Sequence, residues 1–240
     1  MNLLDIVGPI MVGPSSSHTA GAVKIGQISK RLLDDRVVKA TIYMHGSFAA
    51  TGKGHGTDKA LIAGLLGMSV DDGRIPDSFN IAQREGLEFS FDKIELSDAH
   101  PNSVKLELVG ETGKVLEVVA SSTGGGRIKI CEIEGLKANF EGDYPTLIVH
   151  NEDKPGHALG VTSMLAHRAI NIASMQAYRA TKGGYAVMVI ECDNEVSEES
   201  ILWLKKQEGI MKVTYLSQGR WLSGGDWSGF SYGSRCGSVS

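Results

Sequence analysis

Two short polar segments hold most of the residues equipped for acid–base chemistry. The first is Gly13-Pro14-Ser15-Ser16-Ser17-His18-Thr19. Hydroxyl side chains just ahead of a helix gather side-chain oxygens and free backbone N–H groups in one place, a receptor for a carboxylate or phosphate. His18 falls in the first turn of the expected helix, where the positive helix end favours the neutral ring. A neutral imidazole can accept a proton or orient a substrate. The bland alternative is a serine-rich helix cap with a surface histidine.

The second segment runs from His45 to Asp58, HGSFAATGKGHGTD. It follows an expected strand and precedes an expected helix, where α/β proteins tend to place sites. Its glycines permit close backbone approach to a ligand. Lys53 offers a cation for a carboxylate, and His55, between Gly54 and Gly56, is available as a base. Asp58 could orient that imidazole or cap the next helix. The segment is not a phosphate-binding Walker loop, because no Gly-Lys-Ser/Thr closes it. A metal site of His45, His55 and Asp58 matches no zinc spacing, and a plain loop is the alternative. His100-Pro101-Asn102 reads as a turn, and Ser121-Ser122-Thr123-Gly124-Gly125-Gly126-Arg127 as either an anion nest or a hairpin crossing.

The rest of the chain limits what these segments can serve. Its 240 residues carry 24 Lys plus Arg against 28 Asp plus Glu, a net charge of −4, which leaves no footprint for nucleic acid or an anionic membrane. Glycine is in excess at 30 residues. Cys131, Cys192 and Cys236 have no metal-binding or disulfide spacing, so no metal-ligand set is expected in this chain; Cys131 and Cys192 read as core residues. No apolar run approaches 18 residues, and the start has no basic leader. A soluble, cytoplasmic chain is the expectation.

The elements that must position the two segments are an α/β (α+β) set. Pro14-Ser15-Ser16-Ser17 leads into an expected helix running to about Leu33, with Ala22, Val23, Ile25, Ile28, Leu32 and Leu33 apolar. Strands are expected at Val37–Met44, Val104–Val109, Val115–Ser121 and Ile128–Ile133, and helices at Thr57 to about Leu66 and after Pro76. Residues 144–219 then read as β-α-β-β-α-β, the split plan of four antiparallel strands under two helices. Its strands are expected at 146–150, 172–178, 185–191 and 212–216. Leu159, Val161, Met164 and Leu165 mark one helix; Val196, Ile201, Leu202 and Leu204 mark the other. Residues 220–240 are mostly Gly, Ser and aromatic residues without a period, a tail outside the fold.

GPSSSHTAG (13–21), HGSFAATGKGHGTDKALIAGL (45–65) and SSTGGGRIKI (121–130) resemble the beta chains of the bacterial iron–sulfur L-serine dehydratases. Residues 151–193 are similar to an ACT domain, a small amino-acid-sensing module. The resemblance implies a serine dehydratase beta domain over 1–143 and a ferredoxin-like ACT domain over 144–219. It implies conversion of L-serine to pyruvate and ammonia in a site completed by an alpha chain, whose cysteines hold a [4Fe-4S] cluster with one iron acting as Lewis acid. This chain alone is then inactive.

By motif position, the resemblance puts His55 as the base or its closest helper, with Lys53 and His18 as further catalytic residues; the two histidines can exchange roles. Ser15, Ser16, Ser17, Thr19, His45, Ser47, Thr57 and Asp58 would bind the substrate. In the C-terminal unit, Asn151, Asp153, Pro155, Gly156 and His157 would receive a regulatory amino acid, serine itself being a candidate, and free edge strands would support self-association. The N-terminal half also resembles, more distantly, a regulatory domain of some phosphoglycerate dehydrogenases. The alternative function is therefore a non-catalytic, amino-acid-binding regulator.

Overall fold

The computed structural model describes residues 10–217, apart from the side chain of Lys53. The expected tail at 220–240, with Cys236, lies outside the described residues. The first polar segment folds as a π-helical turn, Ser16–Ala20, capped by Ser15 Oγ accepting from His18 N–H at 3.1 Å. The chain runs straight on into α1 (Gly21–Leu33), which buries the expected apolar face. Asp34, in the left-handed conformation, ends α1 by donating its N–H to the carbonyls of Lys30 and Arg31. Lys30 and Arg31 place positive charge at the helix C-terminus, where it is favourable.

β1 (Val37–Met44) leads through α2 (Gly46–His55), α3 (Thr57–Leu66), a 3-10 turn at Ile75–Asp77 and α4 (Ser78–Arg84) to β2 (Glu88–Lys93). β3 (Ser103–Gly110), β4 (Val115–Gly124), β5 (Arg127–Ile133) and β6 (Leu136–Phe140) complete a six-stranded sheet in the order β2-β1-β3-β4-β5-β6. Only β1 and β2 pair in parallel, because the three helices between them carry the chain back across the sheet. α1 and α3 cross where Gly26 faces Gly64: a Cβ at Gly26 would stand 2.5 Å from the Leu61 carbonyl oxygen, and one at Gly64 would fall on that of Val23. Glycine at both positions is what lets these helices approach.

Several elements differ from the plainest sequence expectation or decide between alternatives. The glycine-rich stretch from His45 to Gly56 is not a loop but the helix α2, interrupted only at Gly56 before α3. β2 and β6 were not expected; each is an edge strand of mixed polar text. Of the two readings of residues 121–127, the structure has the hairpin: they join β4 to β5, with Gly124, Gly125 and Gly126 at positive φ. Leu159 and Leu202, whose spacing marks the two C-terminal helices, lie on those helices but are 69% and 48% exposed.

The C-terminal unit is β7 (Thr146–Glu152), α5 (His157–His167), β8 (Ile172–Arg179), β9 (Tyr185–Cys192), α6 (Glu198–Lys205) and β10 (Ile210–Leu216). Its sheet runs β10-β7-β9-β8, every pair antiparallel. Strand side chains alternate between faces, and both faces are covered here. Leu147, Val149, Met188, Ile190 and Val213 pack with Val161 and Leu165 of α5 and Leu204 of α6. Ile148, Val187, Val189 and Leu216 instead join the core of the N-terminal half. Cys192 is fully buried, and burial pushes its thiol up to about 11.

At that junction Glu134, in the turn between β5 and β6, meets Lys212 on β10 at 2.7 Å and accepts from the Tyr185 hydroxyl at 3.2 Å. Buried His150 is hydrogen-bonded through Nδ1 to the Tyr185 hydroxyl. Among the described residues, no helix is long and apolar enough to cross a membrane.

Candidate active site

The two polar segments come together. The end of β1 delivers the chain to α2 beside the turn before β3: His45 N–H donates to the Ser103 carbonyl at 3.0 Å and Ser47 N–H to that of Pro101 at 2.7 Å. Gly46 makes this possible. It has φ +54, and a Cβ there would stand 2.5 Å from the Pro101 carbonyl oxygen. α2 thereby starts against the π-helical turn that carries His18, and the rings of His18 and His55 lie 4.9 Å apart between centroids, tilted by 40°. Phe48, fully buried on α2, supports His18 edge-on at 5.4 Å.

Each ring has a distinct set of partners. His18 Nε2 lies 3.0 Å from Ser47 Oγ and 3.2 Å from Thr51 Oγ1, and its Nδ1 lies 3.3 Å from Ser17 Oγ and 3.5 Å from Ser15 Oγ. His55 Nδ1 lies 3.2 Å from the Thr51 carbonyl, and the His55 carbonyl accepts from Thr19 Oγ1 at 3.2 Å. Burial, then the nearby His55, lowers the His18 pKa below its ordinary value, against a hydrogen bond to Ser47 that favours the cation. His18 is therefore neutral at neutral pH. The direction is the one expected for a helix start, but the causes are burial and the second histidine.

The other expected site residues divide. Ser15, Ser17, Ser47 and Thr19 all touch the histidine pair or its backbone, and Ser16 contributes the carbonyl that receives the N–H of Gly21. Thr57 is buried behind the break between α2 and α3, and its Oγ1 has no partner. Asp58 does not orient His55; its carboxylate accepts from the Lys59 N–H at 2.8 Å. His45 is turned toward the segment after β2, its Nδ1 accepting from Leu96 N–H at 3.2 Å. The Lys53 side chain lies outside the described residues. Sequence reading missed Thr51 as a partner of the pair. It stands four residues from both Ser47 and His55, a helical spacing that the glycine content concealed.

These groups can bind a small polar substrate and move a proton. Cys131 lies on β5 beside Ser121, Cys192 is buried in the C-terminal sheet, and no group of three His, Cys, Asp or Glu among the described residues could hold a metal ion.

Comparison with known proteins decides the family. Residues 3–132 match the serine dehydratase beta chain family, and residues 145–201 match the ACT domain. The chain belongs to the serine dehydratase beta chain family. Two similar relatives span nearly its full length. The "L-serine dehydratase, beta chain" of Peptoniphilus asaccharolyticus is 40% identical over 195 residues, 81% of this chain and 88% of that one. The "Probable L-serine dehydratase, beta chain" of Bacillus subtilis (strain 168) is 38% identical over 216 residues, 90% of this chain and 98% of the relative. The D-3-phosphoglycerate dehydrogenase of the same organism is 28% identical over 197 residues, 80% of this chain but 36% of that protein.

In this serine dehydratase beta chain the expected regulatory residues are not all in a loop: Asn151 lies near the end of β7, Asp153, Pro155 and Gly156 in the β7–α5 loop, and His157 at the start of α5. Asn151 is buried, with Nδ2 donating to the Glu152 carbonyl at 2.6 Å and Oδ1 unpartnered. Asp153 accepts from Gly183 N–H at 2.8 Å and from Arg179 at 3.1 Å. Pro155 is exposed, Gly156 caps α5 in the left-handed conformation, and the His157 ring lies against Gly209.

Proposed function

We propose that this beta chain takes part in converting L-serine to pyruvate and ammonia, within a site completed by an alpha chain. The single observation that carries this reading is the His18–His55 pair, two imidazoles 4.9 Å apart at the meeting of the two polar segments. His55 is the base. A carbonyl only accepts, so the Thr51 carbonyl requires Nδ1–H on a neutral His55 and leaves the lone pair on Nε2. That nitrogen takes the α-proton of serine. The β-hydroxyl then departs, and the resulting aminoacrylate tautomerises to an imine that water hydrolyses to pyruvate and ammonia.

His18 stays neutral and, with Ser15, Ser16, Ser17, Thr19 and Ser47, orients the substrate carboxylate; Lys53, His45, Thr57 and Asp58 would complete the surroundings. Abstraction of an α-proton is demanding, and fixed dipoles around the developing charge reduce its barrier. A [4Fe-4S] cluster would be held by the alpha chain and would supply Lewis acidity toward the hydroxyl.

Residues 1–143 would form this catalytic half, and 144–219, of ferredoxin-like topology, a sensing half in the cytoplasm. The orphaned Oδ1 of Asn151 supports an amino-acid site beside Asp153, Pro155, Gly156 and His157: it can accept from an ammonium group. β8 is an edge strand of its sheet, which supports self-association of ACT domains.

The test is anaerobic co-expression with a cysteine-bearing alpha chain and measurement of pyruvate from L-serine. The complex should turn over, and the beta chain alone should not. An isolated beta chain that binds serine but assembles with no alpha chain would instead favour the regulatory reading, which the partial similarity to a phosphoglycerate dehydrogenase supports.

A further inference from the structure

We propose that Thr51 is the positioning residue that holds His18 and His55 in opposite tautomers, its hydroxyl acting on one ring and its carbonyl on the other. This rests on the reading of the pair as the acid–base site and adds the residue that sets it.

The argument is an inventory of protons. A threonine hydroxyl has one hydrogen and two lone pairs. Thr51 Oγ1 donates its hydrogen to the Ser47 carbonyl at 2.9 Å, one turn back along α2. Its oxygen is then left only as an acceptor, and His18 Nε2 lies 3.2 Å from it. The assignment that satisfies both hydroxyls puts the hydrogen on His18 Nε2, shared with Ser47 Oγ at 3.0 Å; Ser47 Oγ also lies 3.3 Å from Thr51 Oγ1. Nδ1 of His18 keeps the lone pair and faces the hydroxyls of Ser17 and Ser15, both able to donate.

At the other end of the same residue, the Thr51 carbonyl lies 3.2 Å from His55 Nδ1 and fixes the hydrogen there. One residue on one helical turn thus makes His18 an Nε2–H donor and His55 an Nε2 acceptor. The choice that the sequence leaves open, which imidazole is the base, is decided by the residue between them. The hydroxyl acts only on His18, whereas the carbonyl is backbone and survives any substitution.

That asymmetry makes the assignment testable without activity. In the full-length chain with 15N-labelled histidine, the imidazole nitrogens of all seven histidines can be followed by long-range 1H–15N correlation, with His18 and His55 assigned from H18Q and H55Q. The wild type should show Nε2–H at His18 and Nδ1–H at His55. Thr51→Val, similar in shape and lacking the hydroxyl, should move His18 toward a mixture of tautomers and leave His55 unchanged. Thr51→Ser should restore the wild-type pattern.

In the alpha–beta complex, T51V should lower kcat for serine by about 10- to 100-fold, the size of loss seen when the orienting partner of a metal-bound imidazole is removed. KM should change by less, and T51S should recover most of the loss. His18 found as Nδ1–H in the wild type, or unmoved in T51V, overturns the role of Thr51. The tautomers behaving as stated while the complex makes no pyruvate would overturn the dehydratase reading and leave Thr51 in place.

Discussion

Glu134 and Lys212 meet at 2.7 Å across the two halves of the chain, one in the turn between β5 and β6 and the other on the last strand of the ACT domain. Glu134 has φ +51, and its carboxylate gathers Lys212, the Tyr185 hydroxyl and, at 3.8 Å, the His150 ring. Burial alone would raise the Glu134 pKa; Lys212, with His150 and Tyr185, holds it below the usual glutamate range.

Acidification should loosen this junction. Burial lowers the His150 pKa below 6.5, against the pull of Glu134, so the neutral ring belongs to the packed state. Its contribution is present above the ordinary histidine value and is lost as pH falls through the lower, folded-state value. The depressed Glu134 gives the same sign at lower pH: its contribution is present above the ordinary glutamate value and lost on protonation. Thermal unfolding of the full chain between pH 7.5 and 5.0 should show a falling midpoint, and His150→Gln should flatten that fall. Parallel curves for the two proteins would contradict the assignment.

The helix crossing under the site should tolerate no side chain. Gly64→Ala places a methyl group on the Val23 carbonyl, with no flexible side chain to yield. A loss of about 1–3 kcal/mol is expected for such overpacking, read as a lower urea midpoint. Gly54→Ala, on α2 where a Cβ meets nothing within 4 Å, is the control and should not lower the midpoint, its stability rising by up to about 1 kcal/mol through helix propensity.

His18 should titrate below an ordinary imidazole. His18 is lowered first by burial and second by His55, so its NMR midpoint should lie below 6.5. In His55→Gln it should rise but stay below that value, because burial remains. A His18 midpoint unmoved by H55Q would show that the rings do not sense each other.

The strands and helices with clean apolar periods were legible from sequence. β1 at Val37–Met44 and α3 at Thr57–Leu66 match their expected bounds, because apolar spacing decides both. β2 and β6 were hidden: EFSFDK and LKANF are short edge strands whose pairing is set by their neighbours. α2 was hidden for a different reason. Its glycines carry poor helix propensity, and the segment is held helical by His45 and Ser47 docking on Ser103 and Pro101 and by Thr19 reaching the His55 carbonyl. The same contacts made Thr51 invisible, since its role exists only once residues 47, 51 and 55 share a helix. Leu159 and Leu202 fit helical periods yet face outward, since periodicity gives a face and not what covers it.

The base assignment is tested most directly by His55→Gln in the assembled alpha–beta complex, with pyruvate formation from L-serine compared at equal amounts of complex. Loss of a positioned general base should lower kcat by about 10²–10⁴-fold, while the complex assembles as in the wild type. Turnover within about twofold of wild type would contradict His55 as the base and with it the central reading of this site.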